Sequence, residues 1–310
     1  MQDKKKKYDI LCVGELLIDM MSVDFAEDFS KVENFKRVQG GSPANLAMNM
    51  KRLGNRVRLV ASVGKDDMGD YLLQGVEEVG LDRESVARVE QPTTIILVTR
   101  SKDVSNFEAY RGADCQISIE QLNTELLRSV RIFHTTCFGL SRSPAQKNIL
   151  SAAQKAHQNG AQLSIDLNYA TKIWKDREAA QKIVEEYCSY GAIVKVSEVD
   201  WSRLYNEQVF DNEFVGKHFL SLGAKVVCLT LGDKGVWVFS KEETHFLPSR
   251  PIEVKDTTGA GDAFWSGFLT AHLDGKELLT CAKAGRGMAE LKIQRFGALP
   301  REVSKSLIYN

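Results

Sequence analysis

The chain has 310 residues, 43% of them apolar and 26% charged, a composition that supports a sizeable folded core and argues against disorder. Its 41 basic residues cancel its 41 acidic ones, so the electrostatic footprint of a nucleic-acid binder is missing and a small-molecule partner is expected. No apolar stretch approaches the ~20 residues of a membrane span and no leader-like segment opens the sequence, so no membrane partner and a cytoplasmic location are expected.

In chain order, Tyr8–Val13, Val57–Val63, Ile132–Cys137, Gln162–Leu167, Ala192–Val196 and Val226–Leu231 read as core strands. Between them, Pro43–Leu53, Met68–Val79, Pro144–Gln158, Arg177–Cys188 and Glu213–Leu222 carry the apolar spacing of helices. This alternation predicts one α/β domain over residues 1–310: a doubly wound, mostly parallel sheet flanked by helices. Ser42 is expected to cap the first helix with Pro43 at its first position, and Gly54 to end it. Two segments break the rhythm. Thr93–Arg100 and Asn106–Tyr110 read as a hairpin turning through Ser101–Ser105, and Leu16–Val38 is also out of step. Together they predict a small β-sheet lid from segments near 15–39 and 92–112, suited to excluding water during group transfer. Six cysteines without close pairs and five histidines without ligand spacing suggest neither a zinc knuckle nor a redox dithiol.

The chemistry concentrates in two glycine-rich helix starts. In Asp256-Thr257-Thr258-Gly259-Ala260-Gly261-Asp262-Ala263-Phe264, the small residues Gly259, Ala260 and Gly261 leave first-turn N–H groups bare as an anion cradle. Asp262 stands beside it. A carboxylate would repel a resting phosphate there, but it can accept the proton of an attacking hydroxyl. Gly40-Gly41-Ser42-Pro43-Ala44-Asn45 makes a second bare helix start, where Asn45, with Asp19 beyond the first strand, can hydrogen-bond a polyhydroxylated ligand. Either run taken alone also reads as an ordinary capped helix or turn. Arg111 can orient sugar oxygens, balance phosphate charge or form a surface ion pair, and Asp166-Leu167-Asn168 closes a strand where parallel sheets collect ligands. There is no Gly-x-x-x-x-Gly-Lys-Ser/Thr loop, no His-Arg-Asp loop, and no Gly-x-Gly-x-x-Gly turn after the first strand. Those absences set aside nucleotide-loop kinases, protein kinases and dinucleotide oxidoreductases.

Both runs, in this order, resemble the signatures of the ribokinase family, the phosphofructokinase-B group of carbohydrate kinases, and the resemblance extends through Val63-Gly64-Lys65-Asp66-Asp67-Met68-Gly69. It implies a ribokinase-like fold, a β-lid over a sugar, and ATP with Mg²⁺ as cofactors. Residue by residue it implies that Asp19, Gly40, Gly41, Asn45, Arg111, Asp166 and Asn168 serve the sugar, and that Lys195, Thr230, Gly232, Gly235 and Gly285 serve ATP. Glu198, in Lys195-Val196-Ser197-Glu198, would act on Mg²⁺ through water, although Ser197–Asp200 also fits a helix-capping pattern. Asp256 and Thr258 match positions that hold potassium in some relatives. Members that phosphorylate acid sugars often carry Arg where this chain has Ala170, with Lys172 as a partial substitute. The resemblance is greatest to fructokinases, so fructose is the expected acceptor; ribose, a nucleoside and a 2-keto-3-deoxygluconate-type sugar stay open, as does a non-catalytic sensor on this fold. Pairing of two copies through the lid around Thr94–Val98 is expected.

Overall fold

The computed structural model describes residues 6–26, 28–100, 106–295, 297 and 299–309. The turn expected over Ser101–Ser105 lies outside them. Strands are β1 Tyr8–Val13, β2 Leu17–Phe25, β3 Phe35–Gly40, β4 Val57–Gly64, β5 Val86–Val89, β6 Ile95–Arg100, β7 Phe107–Tyr110, β8 Val130–Thr136, β9 Gln162–Asp166, β10 Ile193–Ser197, β11 Val226–Thr230, β12 Gly235–Phe239 and β13 Thr244–Pro248. Helices are α1 Ser42–Arg52, α2 Asp67–Glu78, α3 Thr124–Arg128, α4 Ala145–Gln158, α5 Arg177–Ser189, α6 Glu198–Tyr205, α7 Asn212–Ser221, α8 Ala260–Leu273, α9 Leu278–Ile293 and α10 Ser306–Tyr309.

Nine strands form one sheet in the order β13-β12-β11-β10-β9-β8-β1-β4-β5. It is parallel except at one edge, where β12 and β13 run antiparallel. The order reverses at β1, from which the chain winds to β4 on one side and later to β8 on the other. Ligands of such sheets collect outside the strand ends near this reversal. Alternate residues serve opposite faces. Ile10 and Cys12 join the core under α1, α2, α8 and α9, while Leu11 and Val13 join the core under α4, α5, α6 and α7. All six cysteines are buried free thiols.

The off-rhythm segments do form a separate four-stranded sheet, β3-β2-β6-β7, in which β2 and β6 pair in parallel. Its two roots are anchored differently. β3 runs directly into α1 through Gly40 and Gly41, whereas β6 is tied down just before it begins. Asp66, which caps α2 by accepting from Gly69 N at 2.8 Å, also accepts from Thr93 N at 2.8 Å and Thr93 Oγ1 at 2.6 Å.

Ser42 corrects one expectation. The cap of α1 is Gly41, at φ 101°, and Ser42 is the first helical residue, with its hydroxyl directed elsewhere. Glycine is required at position 41, since a Cβ there would collide with the Glu15 carbonyl as well as face the left-handed strain. β5, α3 and α10 had no counterpart in the sequence reading: they are short, and β5 alternates only weakly, Val86 being buried and Arg88 exposed.

Candidate active site

The two glycine-rich helix starts meet. Asp262, in the first turn of α8, accepts from Ser42 Oγ at 2.6 Å and from Asn45 Nδ2 at 2.9 Å, contacts that span 220 and 217 residues. Both donors come from the first turn of α1, so one helix mouth holds the carboxylate of the other. Ser42 lines a small cleft under the lid with Asp19, Asn168 and Phe138. Asn45 lines a larger cleft of ≈ 590 Å³ together with Asp19, Asp256, Thr258 and Gly259. Asp262 is half-buried and is hydrogen-bonded to a lining residue of each cleft.

Its electrostatics suit proton acceptance near neutrality. Burial, then the neighbouring Asp166 carboxylate, push Asp262 up to about 6, while the Ser42 and Asn45 donors and the Lys195 ammonium act in the opposite direction. Asp19 is pushed up to about 7 by burial and by Asp262, so the two carboxylates sense each other. Gly40 lies directly against Asp19, and a side chain there would overlap its carboxylate.

Gly259, at φ 73°, caps α8 in the left-handed conformation, and Gly261 is exposed. Beside Gly261 lies Lys195: a Cβ built on the glycine would be 3.3 Å from the Lys195 Nζ. That ammonium is buried and held by Asp166 through both oxygens, at 2.9 and 2.8 Å. Two residues expected to serve different ligands therefore form a single ion pair next to the cradle. Burial alone would lower the Lys195 pKa, but the carboxylates of Asp166 and Asp200 raise it, which fixes a positive charge there. The expected cradle is narrower than the sequence suggested, because the Ala260 N–H donates to the Thr257 carbonyl at 3.1 Å and closes the turn. The N–H groups of Gly259 and Gly261, the helix dipole and this ammonium together make a site for a polyanion.

Other expected residues take different positions. Arg111 does not open into either cleft. Its guanidinium is almost fully covered and is engaged by Asp114, the Ser141 hydroxyl and the Phe138 carbonyl, so the expected ion pair is internal. It also lies 4.2 Å over the Phe138 ring, bracing the wall of the small cleft from behind. Lys172 is bound to Asn106, Phe107 and Glu108 at the root of β7, so it does not replace the arginine missing at Ala170. Gly285 is enclosed between α9 and α8, where a Cβ would be 2.7 Å from the Phe264 ring; it is a packing glycine rather than a ring contact. Gly235 is likewise pressed against the Leu247 carbonyl of β13. Thr230 ends β11, and Gly232 opens the turn after it with free space around its α-carbon.

Ser197 and Asp200 form a reciprocal capping box at α6, so the capping pattern is real. It leaves Glu198 free to point outward, where its carboxylate meets, among the described residues, only the exposed Lys234 ammonium at 3.4 Å. One exposed, loosely paired carboxylate fits an ion that keeps most of its waters, as Mg²⁺ does. Asp256 turns one oxygen to Thr258 N at 3.0 Å and the other to Lys292 Nζ at 3.6 Å.

Two contributors escaped the sequence reading. Glu15 is fully buried, accepts from Thr136 Oγ1 at 2.9 Å and Ser42 N at 3.3 Å, and thereby fixes the start of α1. Burial pushes it up to about 8. Lys292 is the other. An acidic residue directly after the glycine that follows β1 was a signal for the first; nothing in the sequence marked the second.

The pfkB family carbohydrate kinase model matches residues 7–303. The ATP-dependent 6-phosphofructokinase of Thermoanaerobacterium thermosaccharolyticum is 36% identical, covering 95% of this chain and 90% of that protein. A probable fructokinase-3 of Arabidopsis thaliana is 32% identical over 87% of this chain and 79% of its own length. Among solved structures, an uncharacterized sugar kinase from Pyrococcus horikoshii in complex with ATP superposes with a TM-score of 0.82 at 27% identity, covering 96% of each chain. With both signatures joined at one carboxylate and a family match over nearly its whole length, the chain belongs to the pfkB family of carbohydrate kinases.

Proposed function

We propose that the protein transfers the γ-phosphoryl group of ATP to a primary hydroxyl of a sugar, with Asp262 as the base and fructose as the acceptor. The observation that carries this reading is Asp262 itself: a carboxylate of raised pKa, held by two donors from the sugar-side helix, beside an anion cradle.

Asp19 and Asn45 bind sugar hydroxyls from the two sides of the junction between the clefts, and Asn168 completes the floor of the smaller one. The incoming hydroxyl gives its proton to an Asp262 oxygen as its own oxygen attacks the phosphorus, and the bond to the ADP oxygen breaks. The N–H groups of Gly259 and Gly261 and the Lys195 ammonium face the charge that spreads over the three phosphoryl oxygens. Magnesium, when bound, neutralises the polyphosphate, and Glu198 would hold it through water. The lid, which lines the smaller cleft with Ile96, Val98 and Phe107, keeps water from competing for the phosphoryl group.

Fructose is supported by the Gly-Gly-Ser-Pro-Ala-Asn start of α1, the Lys195-Val196-Ser197-Glu198 element and Ala170, in line with the similarity to a probable fructokinase. A specific observation favours fructose 6-phosphate as a second reading. The larger cleft is lined by Lys36, Arg37, Arg52 and Arg100, and the relative at 36% identity is named a 6-phosphofructokinase. ATP consumption with a panel containing both compounds, ribose, a nucleoside and 2-keto-3-deoxygluconate tests the reading. Turnover should be greatest with fructose and fall by roughly 10²-fold or more in Asp262→Asn, the usual contribution of a positioned base. Turnover of Asp262→Asn within about tenfold of the parent rejects the assigned base.

A further inference from the structure

We infer that Lys292 supplies from the protein itself the positive charge that a potassium ion at Asp256 and Thr258 would bring, so the cradle works without a monovalent cation. The inference rests on the kinase reading only for its turnover measurements.

The residues present do not fit such an ion. Asp256 lies three residues before Gly259, and its carboxylate is already committed: one oxygen fastens the turn at Thr258 N, and the other faces the Lys292 ammonium. Lys292 projects from the last turn of α9 and is largely covered, with 12% of its side chain exposed. Its Cε comes within 3.7 Å of where a Cβ on Gly259 would stand, so the ammonium runs alongside the first residue of the cradle. A metal cation sharing the Asp256 carboxylate would meet a fixed like charge. A neighbouring carbonyl oxygen is also engaged. The Ile293 carbonyl accepts from both Lys255 N, at 2.8 Å, and Asp256 N, at 3.1 Å, stitching the end of α9 to the approach of α8. Lys292 is thus a positioning residue: it clamps the 256–259 turn and adds its charge at the edge of the phosphate site.

The test compares KCl with choline chloride at equal ionic strength, about 0.1 M, where exposed charges are screened alike. Two quantities are read: turnover with the best sugar, and affinity for a non-hydrolysable ATP analogue by calorimetry. The wild type should differ by less than about twofold between the salts in both, well under one charge-assisted contact. Lys292→Ala should lose about tenfold in choline and regain at least threefold in KCl, as the ion enters the space the side chain left. Lys292→Arg should resemble the wild type. A wild type activated about fivefold or more by KCl overturns the inference, as does Lys292→Ala matching the wild type in choline. A loss in Lys292→Ala that KCl does not lessen makes the role purely structural and overturns it too. The wild-type comparison stands whether or not a variant folds. Turnover on no sugar at all rejects the kinase reading, while the calorimetric comparison still decides Lys292.

Discussion

Replacing Ser42 by alanine removes one of the two donors that hold Asp262 ionised, and the consequence is a shift of a pH profile. In the resting protein the Ser42 hydroxyl lies 2.6 Å from Asp262 Oδ1. A hydrogen bond to a charged acceptor contributes about 1.5–3 kcal/mol, and the half-buried position of Asp262 puts this one at the low end. At about 1.36 kcal/mol per pKa unit, losing it raises the Asp262 pKa by roughly one unit. The sign follows from the chemistry: the donor favours the charged form, so its removal favours the protonated form, and the base is lost at higher pH than before. Starting from about 6 in the parent, a one-unit rise costs about threefold in the ionised fraction at pH ~6.5 and almost nothing at pH ~8.5. The assay is kcat/KM for the sugar from pH ~5 to ~9 at saturating MgATP, because this parameter reports the free enzyme. Asp19 titrates close by, so the acid limb belongs to the pair, and the quantity to compare is its displacement between parent and variant. An acid limb unmoved within about 0.3 unit, or moved to lower pH, in a variant of unchanged melting temperature refutes the argument. A uniform loss at every pH does so as well, since it would mean that Ser42 acts on something other than proton affinity.

Lys195→Met leaves Asp166 charged and unpaired in a buried setting, so stability should fall by about 3–5 kcal/mol in denaturant titration, with ATP-analogue affinity falling in parallel; a stable variant of normal affinity would remove the ammonium from the phosphate site. Gly285→Ala drives a methyl group into the Phe264 ring and should cost about 1–3 kcal/mol by the same method without changing the adenine contribution to affinity; a stable variant with weakened nucleotide binding would restore the ring contact expected from the sequence. Val23, Phe25 and Tyr110 are exposed on the small sheet, and light scattering should therefore report a dimer of about twice the chain mass; monomer alone at micromolar concentration removes the lid pairing.

The sequence revealed those parts of the molecule that local chemistry dictates. Runs such as Tyr8-Asp9-Ile10-Leu11-Cys12-Val13 are long and apolar enough to be strands wherever they fall, and the observed bounds of β1 match those expected. The lid was legible through a negative sign, two segments without an intervening helix. The cradle and its aspartate were legible because glycine at a helix mouth is rarely neutral. What remained hidden was every relation carried by the tertiary fold. Ser42 has the right chemistry for a cap, and only the proximity of α8, some 220 residues on, diverts its hydroxyl to Asp262. Arg111 has the right chemistry for an anion, and Asp114, three residues away but turned inward, claims it together with Ser141 and the Phe138 carbonyl. Gly285 looks like any ligand-side glycine until Phe264 is set against it. A residue type states what it can bind; the fold states which partner arrives first.

The passage from β3, which ends in Gly40, to α1 is the single residue Gly41, and the next residue holds the base. A hinge that short has no slack. Any tilt of the small sheet is taken up in the torsions of Gly41, and Ser42 must turn with it, so cover and proton acceptor are geared together instead of merely adjacent. Lengthening that joint by a single residue would let the cover open and shut while the gear turned idle.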